Sequence, residues 1–274
     1  MITIIFGEPG AGKTSLLAYF LKQIYRRQGD RLLNECRDRI AEENKTREKP
    51  LTLPDEPPIF CDFAVKFLVG YEKEYSPYFI NGYYFGVENG KMPTQYVPPG
   101  SKIFLSEAQR YFDSRRSATF PDHVSRAFEM HRHFGLDIYL DAQREGLIDL
   151  NIRGLCKRFI EVRKAEHEKT ATGRIVKTTF FCREFDDLIS VEQYLSGGSN
   201  AYRETTYVNR GNIFRSFDSF NHQNDFIPGK GRDYRYLPFL AKGENVPENL
   251  KMFYETEEPK AYRGSGNKKE KKAE

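Results

Sequence analysis

The segment Gly7-Glu8-Pro9-Gly10-Ala11-Gly12-Lys13-Thr14 reads G-x-x-x-x-G-K-[ST] and stands between an apolar run and a helical pattern, the context in which that spacing carries chemistry. Residues 2–6 are continuously apolar and mostly β-branched, as expected of a central parallel strand buried on both faces. After the glycines, Leu16, Leu17, Phe20, Leu21 and Ile24 recur at helical spacing until Arg26, Arg27 and Gly29, which read as a helix end. Gly10 and Gly12 let the backbone curl so that successive N–H groups face inward at the positive end of that helix, forming an anion nest. Such a loop, from Gly7 through Glu8, Pro9, Gly10, Ala11 and Gly12, fits a triphosphate. Lys13 would place its ammonium between the β- and γ-phosphates, the Thr14 hydroxyl would occupy one position on Mg²⁺, and Ser15 would assist at the α-phosphate. The expected ligands are therefore ATP and Mg²⁺. A second glycine-lysine cluster, Gly229-Lys230-Gly231-Arg232, lacks the hydroxyl residue and follows Pro228, so it reads as a turn.

Hydrolysis at such a loop needs an acidic group at the end of a neighbouring apolar strand, to order the metal's water shell or to take a proton from the attacking water. The run Ile103-Phe104-Leu105-Ser106-Glu107 supplies one, but with Ser106 in the position usually held by the metal-ordering aspartate. Glu107 can polarise water and Ser106 can reach the metal shell. A neutral hydroxyl holds a hard cation less strongly, so slow turnover is expected. Asp141 ends the apolar run 136–140. It is either a solvated strand-end carboxylate or, if its strand lies between the first strand and that of Glu107, a replacement charge for Ser106. Gln143 follows it, where an amide can touch both the γ-phosphate and the attacking water; a surface glutamine would look the same. Any of Arg115, Arg116, Arg126, Arg132 and Arg153 could enter a neighbour's site, though a surface ion pair is the plainer reading of each. In His131-Arg132-His133 the imidazoles point about 200° apart on a helix, which argues against a shared zinc. The cluster is expected to support the phosphate side of the sheet or to contact a neighbouring subunit.

The rest of the chain reads as alternating elements. Residues 30–49 suggest an exposed charged helix, and residues 59–63 and 102–105 suggest strands, the latter followed by a helical stretch over 107–111. The Tyr- and Gly-rich stretch 71–90 suggests an edge hairpin. A helix from near Pro121 to Gly135, a strand over 136–140, a short helix over 147–155 and a strand over 158–162 follow. Residues 163–184 suggest a hairpin turned near Ala171, Thr172 and Gly173. The expected fold is α/β, with a mainly parallel central sheet, helices on both faces and a small irregular C-terminal extension. Residues 1–195 form its core, 196–263 an extended arm packed on it and 264–274 a disordered tail.

With 43 Lys+Arg against 39 Asp+Glu among 274 residues, the formal charge of +4 excludes a chain that is a polycation all over. Arg153, Lys157, Arg158, Arg163 and Lys164 form a loose basic cluster that either lines a pore for nucleic acid or is a plain solvated face. No apolar run approaches the roughly 20 residues a bilayer requires. The N-terminus runs straight into the phosphate loop with no secretory signal pattern, so a cytosolic location is expected. Cys36, Cys61, Cys156 and Cys182 form no metal or redox spacing and are expected to be reduced and buried.

Together the phosphate loop, the strand-plus-acid followed by Ala108-Gln109-Arg110-Tyr111-Phe112, the block His131-Arg132-His133-Phe134-Gly135-Leu136-Asp137 and the segment Gln143 to Leu147-Ile148-Asp149 resemble the zonular occludens toxin family. These are the ATPase domains of filamentous-phage assembly proteins, akin to the FtsK/HerA class of DNA-pumping motors, and the resemblance spans roughly residues 1–195. It implies a P-loop NTPase fold, a homo-oligomer, and ATP-driven extrusion or packaging of single-stranded phage DNA together with coat or other assembly proteins. The location implied is the cytoplasm of a bacterial host, peripheral at the inner membrane. Two departures stand out. Ser106 replaces an acid, and no apolar span follows the core, so membrane association would pass through a partner. The alternative is a nucleotide-dependent scaffold of phage assembly that hydrolyses little. A small-molecule kinase would need an acceptor pocket and lid for which the sequence holds no signature.

Overall fold

The computed structural model describes residues 1–48, 50–69, 73–75, 77–80, 97–115, 122–198 and 202–218. Strand β1 (Ile2–Phe6) leads through the phosphate loop into helix α1 (Lys13–Asn44). Short strands β2 (Ile59–Cys61), β3 (Ala64–Val65), β4 (Phe67–Val69), β5 (Lys73–Tyr75) and β6 (Tyr78–Phe79) follow. Next come β7 (Lys102–Leu105), α2 (Asp122–Glu129), β8 (Asp137–Ala142) and α3 (Leu150–Leu155). The long strands β9 (Arg158–Lys169) and β10 (Ile175–Phe185) precede α4 (Leu188–Leu195), β11 (Arg203–Arg210) and β12 (Phe217–Asp218).

Eight strands form one sheet in the order β11-β10-β9-β1-β8-β7-β2-β6. From β9 to β6 every pairing is parallel, and β10 and β11 add an antiparallel edge. The fold is thus α/β with a mainly parallel sheet. Burial of β1 explains its sequence: Ile2, Ile4 and Phe6 face one apolar cluster while Ile5 faces the other. Leu16, Leu17, Ala18 and Leu21 of α1 fill the Ile5 side, and Phe128 of α2, Ile152 of α3 and Val191 of α4 fill the opposite side. Helices therefore cover both faces. Each large aliphatic side chain buried here contributes about 1.5–3 kcal/mol. All four cysteines are free and buried.

Several boundaries depart from the sequence reading. Gly29 does not end a helix: α1 runs through it for 32 residues, absorbing the charged segment beyond. Gly29 is buried there because Pro57 approaches, so that a Cβ at this position would stand 3.4 Å from the proline Cγ. The stretch after Glu107 is a single 3₁₀ turn, Ala108–Arg110. Helix α2 stops at Glu129, and turns carry the chain to Gly135, whose φ of +63° reverses it into β8. The expected strand at 158–162 extends to Lys169, and the hairpin with β10 turns between Thr170 and Arg174. Residues 203–210, assigned from sequence to an irregular arm, pair along β10 as the outer strand of the main sheet. Most of the expected hairpin at 71–90, Pro121, the cluster at 229–232 and the tail 264–274 lie outside the described residues. Among the described residues no helix is long and apolar enough to cross a membrane.

A continuous α1 makes a direct prediction. Inside a helix, alanine is preferred to glycine by about 0.8–1 kcal/mol, and the gap to Pro57 admits a methyl group at ordinary contact distance. Gly29→Ala should therefore raise the free energy of unfolding by about 0.5–1 kcal/mol in a denaturant titration. A loss of similar size would mean that the position needs glycine's backbone, as a helix end would.

Candidate functional site

Parallel strands deliver their C-terminal ends to one edge of the sheet, and that edge carries the site. Adjacent strands β1, β8, β7 and β2 end respectively in the phosphate loop, Asp141, Ser106 with Glu107, and Asp62.

The loop is shaped by its glycines. Gly7, Gly10 and Gly12 have φ of 147°, 80° and 102°, and Gly12 is the N-cap of α1. Gly7 also has no room for a side chain, since a Cβ would meet the Val162 carbonyl oxygen of β9 at 2.5 Å. Gly12 lies against the same strand, with the Ala165 Cβ 3.0 Å from where its own Cβ would be. The Ala11 amide donates to the Glu8 carbonyl at 3.2 Å, which closes the loop on itself. Glu8, Pro9 and Gly10 are exposed, whereas Ser15 is buried at the base. Lys13 is buried, and its ammonium donates to the Glu8 carbonyl at 3.0 Å, across the concave side of the loop.

Asp141 is the centre of the site. Strand β8 lies between β1 and β7, the placement that a replacement charge requires. The Thr14 and Ser106 hydroxyls both donate to Asp141 Oδ2 at 3.0 Å, and the two hydroxyl oxygens are 3.4 Å apart. The Glu107 amide donates to Oδ1 at 2.7 Å. Burial pushes the Asp141 carboxyl up to about 6, against those three hydrogen bonds and with help from the nearby Glu107 charge. Two hydroxyls and a carboxylate converging on one spot are a hard-oxygen donor set, and they fit a divalent cation such as Mg²⁺.

Glu107 is half-buried and, among the described residues, is the one non-glycine with positive φ, at 51°. A left-handed conformation costs about 1–2 kcal/mol and here aims the Glu107 amide at Asp141. The Glu107 carboxylate accepts from the Gln109 side-chain amide at 2.7 Å. Gln143 leaves β8 beside the loop, where its carbonyl accepts the Gly7 amide at 3.4 Å and its side chain is exposed.

Sequence reasoning passed over Asp62. It ends the apolar run of β2 as Asp141 ends β8, so the same signal was present. Its Oδ1 accepts the Ser106 amide at 2.8 Å. Burial pushes this carboxyl up to about 8; hydrogen bonds from Ser106 and Tyr111 and the charge of Arg110 oppose the shift, while Asp141 adds to it.

Other expected residues are not brought together. His131 lies at the opposite edge: its carbonyl accepts the Leu136 amide at the entry to β8, its Nδ1 is 2.5 Å from the Phe128 carbonyl, and it cannot support the phosphate side. Lys157 precedes β9 and Arg158 starts it at that same far edge, whereas Arg163 and Lys164 lie roughly 20 Å along the strand, so these residues form no single basic patch. Arg158 is held by Glu184 at 3.0 Å and stacks over Phe20, and Arg153 donates to the Ile148 carbonyl at 2.9 Å. Arg115 forms a fork with Asp113 while remaining exposed, and Arg116 lies outside the described residues.

Comparison with known proteins follows the same segments. Residues 87–194 match the model of the family described as Zonular occludens toxin (Zot). The fold is similar to the N-terminal domain of zonular occludens toxin from Neisseria meningitidis, at 18% identity and a TM-score of 0.44 over 79% of this chain and 98% of that one. It is also similar to the genome packaging NTPase B204 of Sulfolobus turreted icosahedral virus 2 in its complex with AMP. The identity there is 12% and the TM-score 0.37, over 77% of this chain and 96% of that one. No curated protein gives a match. Over residues 87–194 this chain is thus similar to the zonular occludens toxin family, and its phosphate loop sits on an α/β fold with a mainly parallel sheet.

Proposed function

We propose that the chain is an ATP-hydrolysing motor subunit for phage assembly, and the observation that carries this reading is the position of Asp141 between Thr14 and Ser106. An acidic group missing from the end of β7 is supplied from the neighbouring strand, so the neutral Ser106 does not leave the site without charge. The coarse statement, a nucleotide-dependent assembly or packaging machine, draws support from the Zot match over 87–194. The finer one is that it extrudes or packages filamentous-phage single-stranded DNA as a homo-oligomer in the host cytoplasm, with coat or assembly proteins and a membrane partner. That part rests on the family resemblance of the motif blocks.

In this reading the loop amides and Lys13 grip the triphosphate, Lys13 exchanging the Glu8 carbonyl for phosphate oxygens. Thr14, Asp141 and Ser106 would hold Mg²⁺, which supplies charge neutralisation at the phosphates. Glu107 orients and deprotonates the attacking water, and its hydrogen bond from Gln109 fixes the carboxylate. Gln143 stands at the loop entry to sense whether the terminal phosphate is present. The scaffold alternative is favoured by Ser106 alone, and the two readings separate on turnover.

Lys13→Ala should weaken Mg²⁺-ATP binding by about 100-fold in calorimetry, the size expected when a charged hydrogen-bonding partner is lost. Glu107→Gln should keep binding but abolish phosphate release; steady release from that variant would count against Glu107 as the base, and no release from the natural chain would favour the scaffold. Asp141→Asn removes the burial cost of a charge, so the ligand-free melting temperature should stay or rise. Meanwhile the Mg²⁺ concentration giving half-maximal turnover should climb at least about tenfold. The exchanged pair Ser106→Asp with Asp141→Ser should recover most of the metal dependence. A melting temperature that falls with an unchanged Mg²⁺ requirement would make Asp141 a structural residue only.

A further inference from the structure

Thr14 and Ser15 look in different directions from the first turn of α1. Thr14 faces Asp141 on β8. Ser15 lies beneath Tyr19, four residues on along the same face, and the Tyr19 ring packs at 6.2 Å on both Phe180 of β10 and Tyr207 of β11. A nucleotide whose terminal phosphates sit at Thr14 and whose α-phosphate sits at Ser15 therefore points its sugar and base toward the β9–β10–β11 side. The β9–β10 hairpin overhangs the loop on that side: Ala165 packs at Gly12, and His167 lies two residues farther on the same face of β9.

There the chain leaves β11 and crosses α1. Ile213 is fully buried against the Leu16 and Leu17 side of the core, which anchors the crossing segment. The next residue, Phe214, is 42% exposed, an unusual place for a phenyl ring. Its backbone is fixed by the Asn212 side chain, which accepts the Phe214 amide at 3.0 Å. Its ring is met edge-on by His167 at 5.1 Å and 76°, and it is backed by Phe217 at 6.0 Å. His167 is itself tied to Thr178 of β10 through Nδ1 and the threonine hydroxyl, 3.2 Å apart. The result is a braced aromatic face open to solvent, on the side to which Ser15 directs the base.

We propose that Phe214, braced by His167 and Phe217, is the stacking platform for the purine base of the nucleoside triphosphate. The proposal rests on the reading that the loop holds a triphosphate. Base–aromatic stacking uses the π-face that every base has, and an alanine in place of the ring removes it.

Titration calorimetry of the full chain with Mg²⁺-ATP and, separately, with Mg²⁺ and inorganic tripolyphosphate tests it. The natural chain should bind ATP more tightly than tripolyphosphate. Phe214→Ala should weaken ATP about tenfold, leave tripolyphosphate unchanged, and so erase most of that difference. Phe214→Trp should retain ATP affinity. Equal affinities for ATP and tripolyphosphate in the natural chain, or ATP binding unmoved by Phe214→Ala, would overturn the platform while leaving the phosphate-loop reading intact. Equal losses for both ligands in Phe214→Ala would also overturn it, since the damage would then lie in the loop. Failure of the natural chain to bind either ligand would overturn both readings.

Discussion

A carboxylate sunk into the end of a parallel sheet is costly unless every lone pair is met, and Asp141 organises its surroundings accordingly. It takes the Thr14 hydroxyl from α1, the Ser106 hydroxyl from the end of β7 and the Glu107 amide just beyond. To present that amide, the chain leaves β7 through a left-handed residue, so the strain at Glu107 and the charge at Asp141 have one origin. Asp62 holds the Ser106 amide from the other side. Burial raises both carboxyl groups, to about 6 and about 8, so the edge is poorly disposed to carry negative charge by itself. A divalent cation would relieve the charge that the fold accommodates least well, which links the energetics of this sheet edge to the chemistry proposed for it.

The phosphate loop depends equally on what lies behind it. Gly7 and Gly12 serve the curl of the backbone, yet each is also pressed against β9, at Val162 and Ala165. Strand β9 can do this because it continues for several residues beyond Glu161, its partner to Phe6 at the end of β1. Its free length is covered by β10, and β10 in turn by β11. The antiparallel edge is therefore a wall of the site. It also explains why a fold that could have closed with its parallel strands carries two more.

What was legible in the sequence, and what was not, follows from which forces act locally. Strands β1, β7 and β8 were readable because strands buried on both faces must be continuous apolar runs. The loop was readable because its glycines and Lys13 are constrained within eight residues. Gly29 misled because glycine marks both a helix end and a close approach, and the approaching Pro57 is far along the chain. Strand β11 was missed because an edge strand with one solvated face keeps polar residues such as Glu204, Thr206 and Arg210. The choice between the two readings of Asp141 turned on strand order, which is a tertiary property and is printed in no short stretch of sequence. The basic cluster dissolved for a related reason: a few residues in a strand span a large fraction of the sheet, so Lys157 and Lys164 are near in sequence and far apart in space.

The segment after β11 links the hairpin, the phosphate-loop helix and the short strand β3. Having buried Ile213 against α1, it accepts the Lys66 amide on the Ser216 carbonyl at 2.7 Å and pairs Phe217 with Val65 of β3. One short stretch thus touches the hairpin through Phe214 and His167, the phosphate-loop helix through Ile213, and the segment following β2 through Ser216 and Phe217. Asp62 leads into that same segment from the β2 end. The two sides of the site, one with Asp141, Ser106 and Glu107 and the other with the hairpin, are consequently joined twice: beneath, by hydrogen bonding through the sheet, and above, by this crossing. With both in place, a shift of the hairpin relative to α1 would disturb the burial of Ile213 or the pairing at Val65.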